Sequence, residues 1–542
     1  MTGPSRVFFV AAALLVLLPA PTIVARPKAD DTLGPPAGII ASAASLKDVI
    51  ALYNAANVRS GANVVVDATV ESNGLSGSAH YVSDHDDFRW SLQLGPFASA
   101  GGRSQGQRWE LNENGLSRLV NDVGRRDDIA AEFVQDALVE TPGLKLLGET
   151  HEPAAFVLES APPGGRREWL FVDHRTGLLD RVESIAQGGR IVETLDDYAT
   201  TDGGTISRHV HISGPNPGQD SDARVAHDDR PATLDPSQLA IPSNLRAFDE
   251  FPPDASQVDI PAKFFDGKIA VRVNIEGRGI DFMLDSGASG IVIDSGVVGA
   301  LNLPTYGKFH EPSGSSVATL TIVPEIRVGR LRLSNVVAAM GPFNVPTLNY
   351  EARQQGILGY DFIAGAVIHV DYFNHKVEAI RKEDFHPEEV ANAAEIPVVL
   401  DDGVPLSRLW IGSTASERFI IDTGANDVTV FSAFARANPD DVRDQGKGND
   451  VQWFFRYIAL FTTSGMYRVA PTQLKSLIFG PTRFGEVMAM EPEHAERFEG
   501  DYDGLIGYQV LQFYDVYFDY ADRRVIVAPN ATLLRRARKP AA

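Results

Sequence analysis

Apolar and polar residues alternate in short runs along most of this chain, and a two-residue period predicts β-strands with one buried face. Two stretches depart from it near the start. The continuous apolar run at residues 7–18 follows a single positive charge, Arg6, and precedes the small-residue site Ile23-Val24-Ala25. It reads as a secretory signal over residues 1–25, too short for a bilayer span and interrupted by Pro19 and Pro21. Leu46, Val49, Ile50 and Tyr53 then fall at helical spacing and predict an amphipathic helix.

Alternating runs follow at 64–70, 78–82, 88–94, 108–111, 155–158, 169–172, 178–184, 190–194 and 205–212, separated by turn residues. They predict an antiparallel β domain over residues 38–215, with Trp90, Leu92 and Leu94 on one sheet face. Periodicity then fades into Pro, Asp, Ser and Arg, which by composition makes residues 216–256 a linker. Beyond it the pattern resumes as strand pairs, 269–275 with 280–284 and 406–411 with 418–421.

The second strand of each pair runs into a similar tripeptide, Asp285-Ser286-Gly287 and Asp422-Thr423-Gly424. Both follow two apolar residues and precede an alanine, Ala288 or Ala425. Upstream, Ile260-Pro261 with Asp266-Gly267 matches Ile396-Pro397 with Asp402-Gly403. Downstream, Gly356-Ile357-Leu358-Gly359-Tyr360 matches Gly504-Leu505-Ile506-Gly507-Tyr508, and Asp371-Tyr372 matches Asp519-Tyr520. A period this long with an insertion inside it predicts a duplicated domain rather than a solenoid. The lobes are residues 257–385 and 396–530, with 386–395 as a bridge and 531–542 as a basic tail. A third tripeptide, Asp294-Ser295-Gly296, falls outside the repeat, and Asp294 is expected to cap a short helix through residues 297–301.

Composition narrows the chemistry. The chain has no cysteine, which excludes disulfides, thiol nucleophiles and cysteine-held metals. A formal charge of −22 argues against nucleic acid and anionic membranes as partners. His209 and His211 alternate on one strand and could ligate a metal, but surface packing is the simpler reading, with no acidic partner at suggestive spacing along the chain. Asn530-Ala531-Thr532 fits a glycosylation sequon. No cofactor-binding motif is present.

A carboxylate at the end of a buried strand must have its desolvation offset by hydrogen bonds. Two such carboxylates brought together by a pseudo-twofold axis cannot both ionise easily, so the pair holds one proton. The ionised member can then take a proton from water while the other polarises a carbonyl.

With these motifs the repeats resemble the aspartic protease family, nearer its retroviral and bacterial single-lobe type. The stretch Asp422-Thr423-Gly424-Ala425-Asn426-Asp427 is similar to the retroviral active-site loop, and Ile357-Leu358-Gly359 and Leu505-Ile506-Gly507 to the segment packed behind it. The resemblance implies catalytic Asp285 and Asp422, an active-site loop of Ser286, Gly287, Thr423 and Gly424, no metal, and a polypeptide substrate. It also implies substrate-covering hairpins, for which Pro312-Ser313-Gly314-Ser315-Ser316 and the segment from Trp453 to Tyr467 are candidates. Phe171-Val172-Asp173-His174-Arg175-Thr176-Gly177, Asp197-Tyr198-Ala199-Thr200-Thr201-Asp202-Gly203-Gly204 and Gly106-Gln107-Arg108-Trp109 resemble the periplasmic lipoprotein-carrier fold, an antiparallel half-barrel with an N-terminal helix whose hollow takes acyl chains.

The expected protein is mainly β, exported to the periplasm or beyond, and an endopeptidase. The alternative is a non-catalytic binding protein for peptides or acyl chains. With both lobes on one chain, lobe pairing is expected to be intramolecular in a monomer.

Overall fold

Strands dominate the computed structural model, which describes residues 34–537 except 58–62, 85–86, 121–128, 131–132, 134–137, 187–188, 202–203, 215–219, 247, 311–316, 342–353, 445–457, 463–464 and 493–501. The segment read as a signal and the candidate hairpin Pro312-Ser313-Gly314-Ser315-Ser316 lie outside the described residues. Of the other candidate, Ile458–Thr462 and Gly465–Leu474 form an antiparallel pair. Among the described residues no helix is long and apolar enough to cross a membrane. The chain divides into two compact units, one running to Leu245 with Tyr306–Val317, the other comprising Arg246–Thr305 and the chain from Ala318 onward.

The first unit is built on a thirteen-stranded antiparallel sheet. One meander runs outward from Val64–Ser72 to Ser117–Val120, and a second runs inward from Leu144–His151 to Ser221–Asp229. The two meet where Ser221–Asp229 pairs with Val64–Ser72 on one side and with Gly204–Ser213 on the other. The helix Leu46–Ala56 starts at a reciprocal cap, Ser45 accepting from the Asp48 amide and the Asp48 side chain accepting from the Ser45 amide. Its Val49 and Tyr53 are buried in the sheet's core.

Four sequence readings change here. Residues 216–256, read as a linker, contain the strand that joins the two meanders; only Ser221 and Ala223 are buried on its inner face, so the apolar signal is thin. Trp90, Leu92 and Leu94 share one sheet face as expected, but where the carrier resemblance implies a hollow they are buried in one cluster with Val49 and Tyr53. His209 does have acidic partners, which arrive from neighbouring strands: Asp196 at 2.7 Å and Asp222 at 2.8 Å. Asn530 is buried, accepting from the Thr532 amide and donating to the Gln512 carbonyl, so it serves as a helix cap rather than an exposed glycan acceptor.

In the second unit a six-stranded antiparallel layer sits at the centre. Gln257–Ile260, Lys376–Ile380 and Val367–Asp371 form one half, and Ala394–Asp401, Arg524–Pro529 and Tyr514–Asp519 the other. The halves join edge to edge, with Ile368 opposite Phe518 and Val370 opposite Val516. On each side a strand hairpin follows, Lys268–Ile275 with Arg278–Leu284 and Val404–Ile411 with Thr414–Ile421. The second strand of each runs parallel to an apolar strand, Gln354–Leu358 or Gly504–Ile506, and ends at the aspartate. Asp294 caps the helix Ser295–Leu301, accepting from the Gly296 and Val297 amides as expected.

Candidate active site

Each aspartate stands where a buried strand gives way to a tight turn. The Asp285 amide donates to the Leu358 carbonyl at 3.0 Å, and the Asp422 amide to that of Ile506 at 2.9 Å. Each carboxylate then accepts from the glycine amide of its own turn, Gly287 at 2.9 Å and Gly424 at 2.7 Å. The following apolar segment closes behind, with Tyr360 donating to the Ala288 carbonyl and Tyr508 to that of Ala425, both at 2.9 Å. Glycine is required in that segment. A Cβ on Gly359 would lie 2.4 Å from the Gly290 carbonyl oxygen, and one on Gly507 the same distance from that of Ala425.

The two turns are locked to each other by their hydroxyl residues. Ser286 Oγ donates to the Ile421 carbonyl at 2.7 Å, and Thr423 Oγ1 to the Leu284 carbonyl at 2.9 Å. In return the Ser286 amide donates to Thr423 Oγ1 at 3.0 Å, and the Thr423 amide to Ser286 Oγ at 2.9 Å. Both residues are only 1% exposed, so these four bonds have no competition from water. The aspartates beside them remain half-buried. The bracing is fully buried, and the aspartates beside it are less so.

The structure brings Asp285 and Asp422 together, close enough for each carboxyl to act on the titration of the other. The glycines make this possible, since a Cβ on Gly287 would sit 2.7 Å from Asp422 Cγ and one on Gly424 2.5 Å from Asp285 Cγ. Burial pushes both carboxyls above the usual carboxylate range. For Asp285 the charge and hydrogen bond of Asp422 push further in the same direction. Against the burial of Asp422 stand Lys268, the hydrogen bond from Asp285 and the turn amides of Gly424 and Ala425. Two carboxyls so placed hold one proton between them and titrate as a unit. Asp294 belongs to its helix cap and not to this pair.

Residues that the sequence pattern did not assign complete the surroundings. Tyr360 stacks on Tyr520 with ring centres 5.9 Å apart, and Tyr508 meets Tyr372 at 5.7 Å. Each contact joins one repeat to the other, and the matched Asp-Tyr and Gly-Tyr pairs were the available signal. Lys268 donates from Nζ to the Gly424 carbonyl. Its signal was an asymmetry, since valine follows the matching Asp402-Gly403.

Residues 271–362, which include Asp285 and the segment closing behind it, match the aspartyl protease family model. No curated protein matches the chain. Among solved structures, a domain named for outer membrane lipoprotein sorting, from Vibrio parahaemolyticus, is similar at 11% identity, covering 35% of this chain and 94% of that one with a TM-score of 0.27. A LolA superfamily protein from Nitrosomonas europaea is similar at 12% identity, covering 36% and 98%, with a TM-score of 0.27.

Proposed function

We propose that this chain is an exported aspartic-type endopeptidase whose Asp285 and Asp422 form one catalytic dyad, supplied by two tandem lobes. The observation that carries the reading is the contact between the two carboxyl groups, held across interlocked Ser286 and Thr423 turns. The family match over residues 271–362 supports the same class of chemistry. A purely structural turn would have no need of two desolvated acids side by side, because their burial and mutual repulsion raise the free energy of folding.

In this mechanism a water lies between the carboxyl groups and the scissile carbonyl. Ionised Asp422 takes a proton from the water as its oxygen attacks the carbonyl carbon, while Asp285 gives its proton to the carbonyl oxygen. The product is a neutral tetrahedral diol. Asp422 then passes its proton to the amide nitrogen, Asp285 recovers one from a diol hydroxyl, and the C–N bond breaks. No bond forms between enzyme and substrate, and the dyad ends as it began.

The test is digestion of a denatured protein and a peptide library by the purified chain from acid to neutral pH. Turnover should be lost in Asp285→Asn and in Asp422→Asn, both of which keep the size of the side chain. Turnover surviving in either variant would exclude the dyad. Peptide binding without cleavage by the wild-type chain would favour a non-catalytic binding protein instead.

A further inference from the structure

The repeats match closely around the aspartates, yet one charge has no counterpart. The turn Asp266-Gly267 takes left-handed φ values of 45° and 74°, and Asp402-Gly403 takes 48° and 80°. Each turn rests on the other repeat: a Cβ on Gly267 would lie 2.9 Å from the Tyr508 ring, and one on Gly403 2.5 Å from that of Tyr360. The next residue is where they part. In the first repeat it is Lys268, whose Nζ donates to the Gly424 carbonyl; in the second it is Val404, only 4% exposed. One ammonium group thus reaches the turn that carries Asp422, and among the described residues no hydrogen bond brings an equivalent one to the turn that carries Asp285.

We propose that Lys268 is a positioning residue that makes the two aspartates unequal, holding the negative charge on Asp422 and leaving the proton on Asp285, and that it thereby sets the acid end of the working pH range. The kinetic part rests on the endopeptidase reading; the assignment of charge does not. Two identical turns would leave the proton free to sit on either acid, and half of the encounters with an asymmetric substrate would find it on the wrong one. A fixed cation on one turn removes that degeneracy. The Gly424 carbonyl that anchors the ammonium belongs to the same residue whose amide donates to Asp422 at 2.7 Å, so the cation is tied to the turn that holds this carboxylate.

The other titratable groups named around the dyad bring no positive charge to it. Asp427 feels Lys268 as the dyad does, but it is an acid and adds negative charge; its counterpart is Gly290. The facing tyrosines, Tyr360, Tyr372, Tyr508 and Tyr520, come as a matched set from both repeats. Burial pushes the Tyr372 and Tyr520 hydroxyls up, which keeps them neutral. Among the described residues, Lys268 is the cation named as acting on both Asp285 and Asp422.

The experiment compares Lys268→Met and Lys268→Arg with wild type in the full chain, with two readouts. Aspartates labelled with carbon-13 at Cγ report the dyad's titration by NMR, assigned with Asp285→Asn and Asp422→Asn, and need no turnover. The pH profile of kcat/KM reports the working range. A cation within about 4–6 Å typically lowers a carboxyl by about 1–3 pH units. Lys268→Met should therefore raise the dyad's first proton loss, and the acid limb of kcat/KM, by about one unit. Lys268→Arg should leave both near wild type. If Lys268→Met melts, Lys268→Gln carries the same expectation. An unmoved NMR titration in a folded Met or Gln variant, or an equal shift in the Arg variant, would overturn the proposal. A shifted titration in a chain that cleaves no peptide would uphold the charge assignment and reject the endopeptidase reading.

Discussion

Replacing Thr423 with valine keeps the shape of the side chain and removes one oxygen, and that oxygen serves two partners. Thr423 Oγ1 accepts from the Ser286 amide and donates to the Leu284 carbonyl. Ser286 and Leu284 are each 1% exposed, so neither orphaned group gains water in exchange. An unsatisfied buried donor or acceptor costs about 1–3 kcal/mol, so two put the expected loss at about 2–6 kcal/mol. Thr423→Ser loses only a methyl group, about 1 kcal/mol, and reproduces the residue already standing at position 286. Calorimetry of the full chain separates the predictions, because two compact units melt as more than one transition. For a unit of this size about 1 kcal/mol shifts Tm by roughly 2–4 °C, so Thr423→Val should lower one transition by roughly 4–24 °C and leave the other in place. Peptide turnover should fall with it and survive in Thr423→Ser. Equal melting of the Val and Ser variants would refute the argument that the hydroxyl, rather than the packing of the side chain, locks the turns.

Further outcomes follow from other parts of the second unit. Gly359→Ala should destabilise the same transition by about 2–4 kcal/mol, since its Cβ meets backbone oxygens at 2.4 and 2.5 Å, while Gly485→Ala, with open space around it, should not. If each chain pairs its own lobes, as proposed, mixing Asp285→Asn with Asp422→Asn should restore no peptide cleavage; recovery on mixing would mean exchange between chains. Asp294→Ala should cost about 0.5–2 kcal/mol by thermal melting and leave cleavage unchanged, as the loss of a helix cap would. Asp515 is pushed up to about 6 by burial and then by the facing Asp371. Its folded value exceeds its unfolded one, so its ionisation weakens the fold as pH rises through that interval. Asp515→Asn should therefore raise Tm at pH 8, by about 1–2 kcal/mol after allowing for its partial exposure, and not at pH 4; an equal effect at both would remove the titration as the cause.

The candidate site was legible because its signals are local and came twice. Two apolar residues, Asp, a hydroxyl residue and glycine mark a buried strand ending in a tight turn, and the repeat around them, which leaves Asp294 outside it, separated this pair from that third tripeptide. What escaped was set by neighbours distant in sequence. The strand Phe97–Ser104 carries small residues because the Trp90 ring lies across Gly101, where a Cβ would sit 2.6 Å from it. The acidic partners of His209 lie thirteen residues away on either side and are brought beside it by strand register, not by local spacing. Lys268 was visible only as a mismatch with Val404, and a mismatch acquires meaning once the Gly424 carbonyl is known to receive it.

The central six-stranded layer also imposes an order of events on a growing chain. Its first half is complete once Lys376–Ile380 has been made, but the free edge of Val367–Asp371 is satisfied only by Tyr514–Asp519. At about 5–20 residues per second, synthesis of the intervening chain takes roughly 7–30 s. Throughout that wait a short apolar strand offers unpaired amides and carbonyls, the kind of edge that recruits a second strand. Two half-made copies can satisfy each other there through their Val367–Asp371 edges. Crowded ribosomes on one message would favour such pairing, so yield should depend on how fast the last 140 or so residues arrive, and slow codons between the lobes should reduce it.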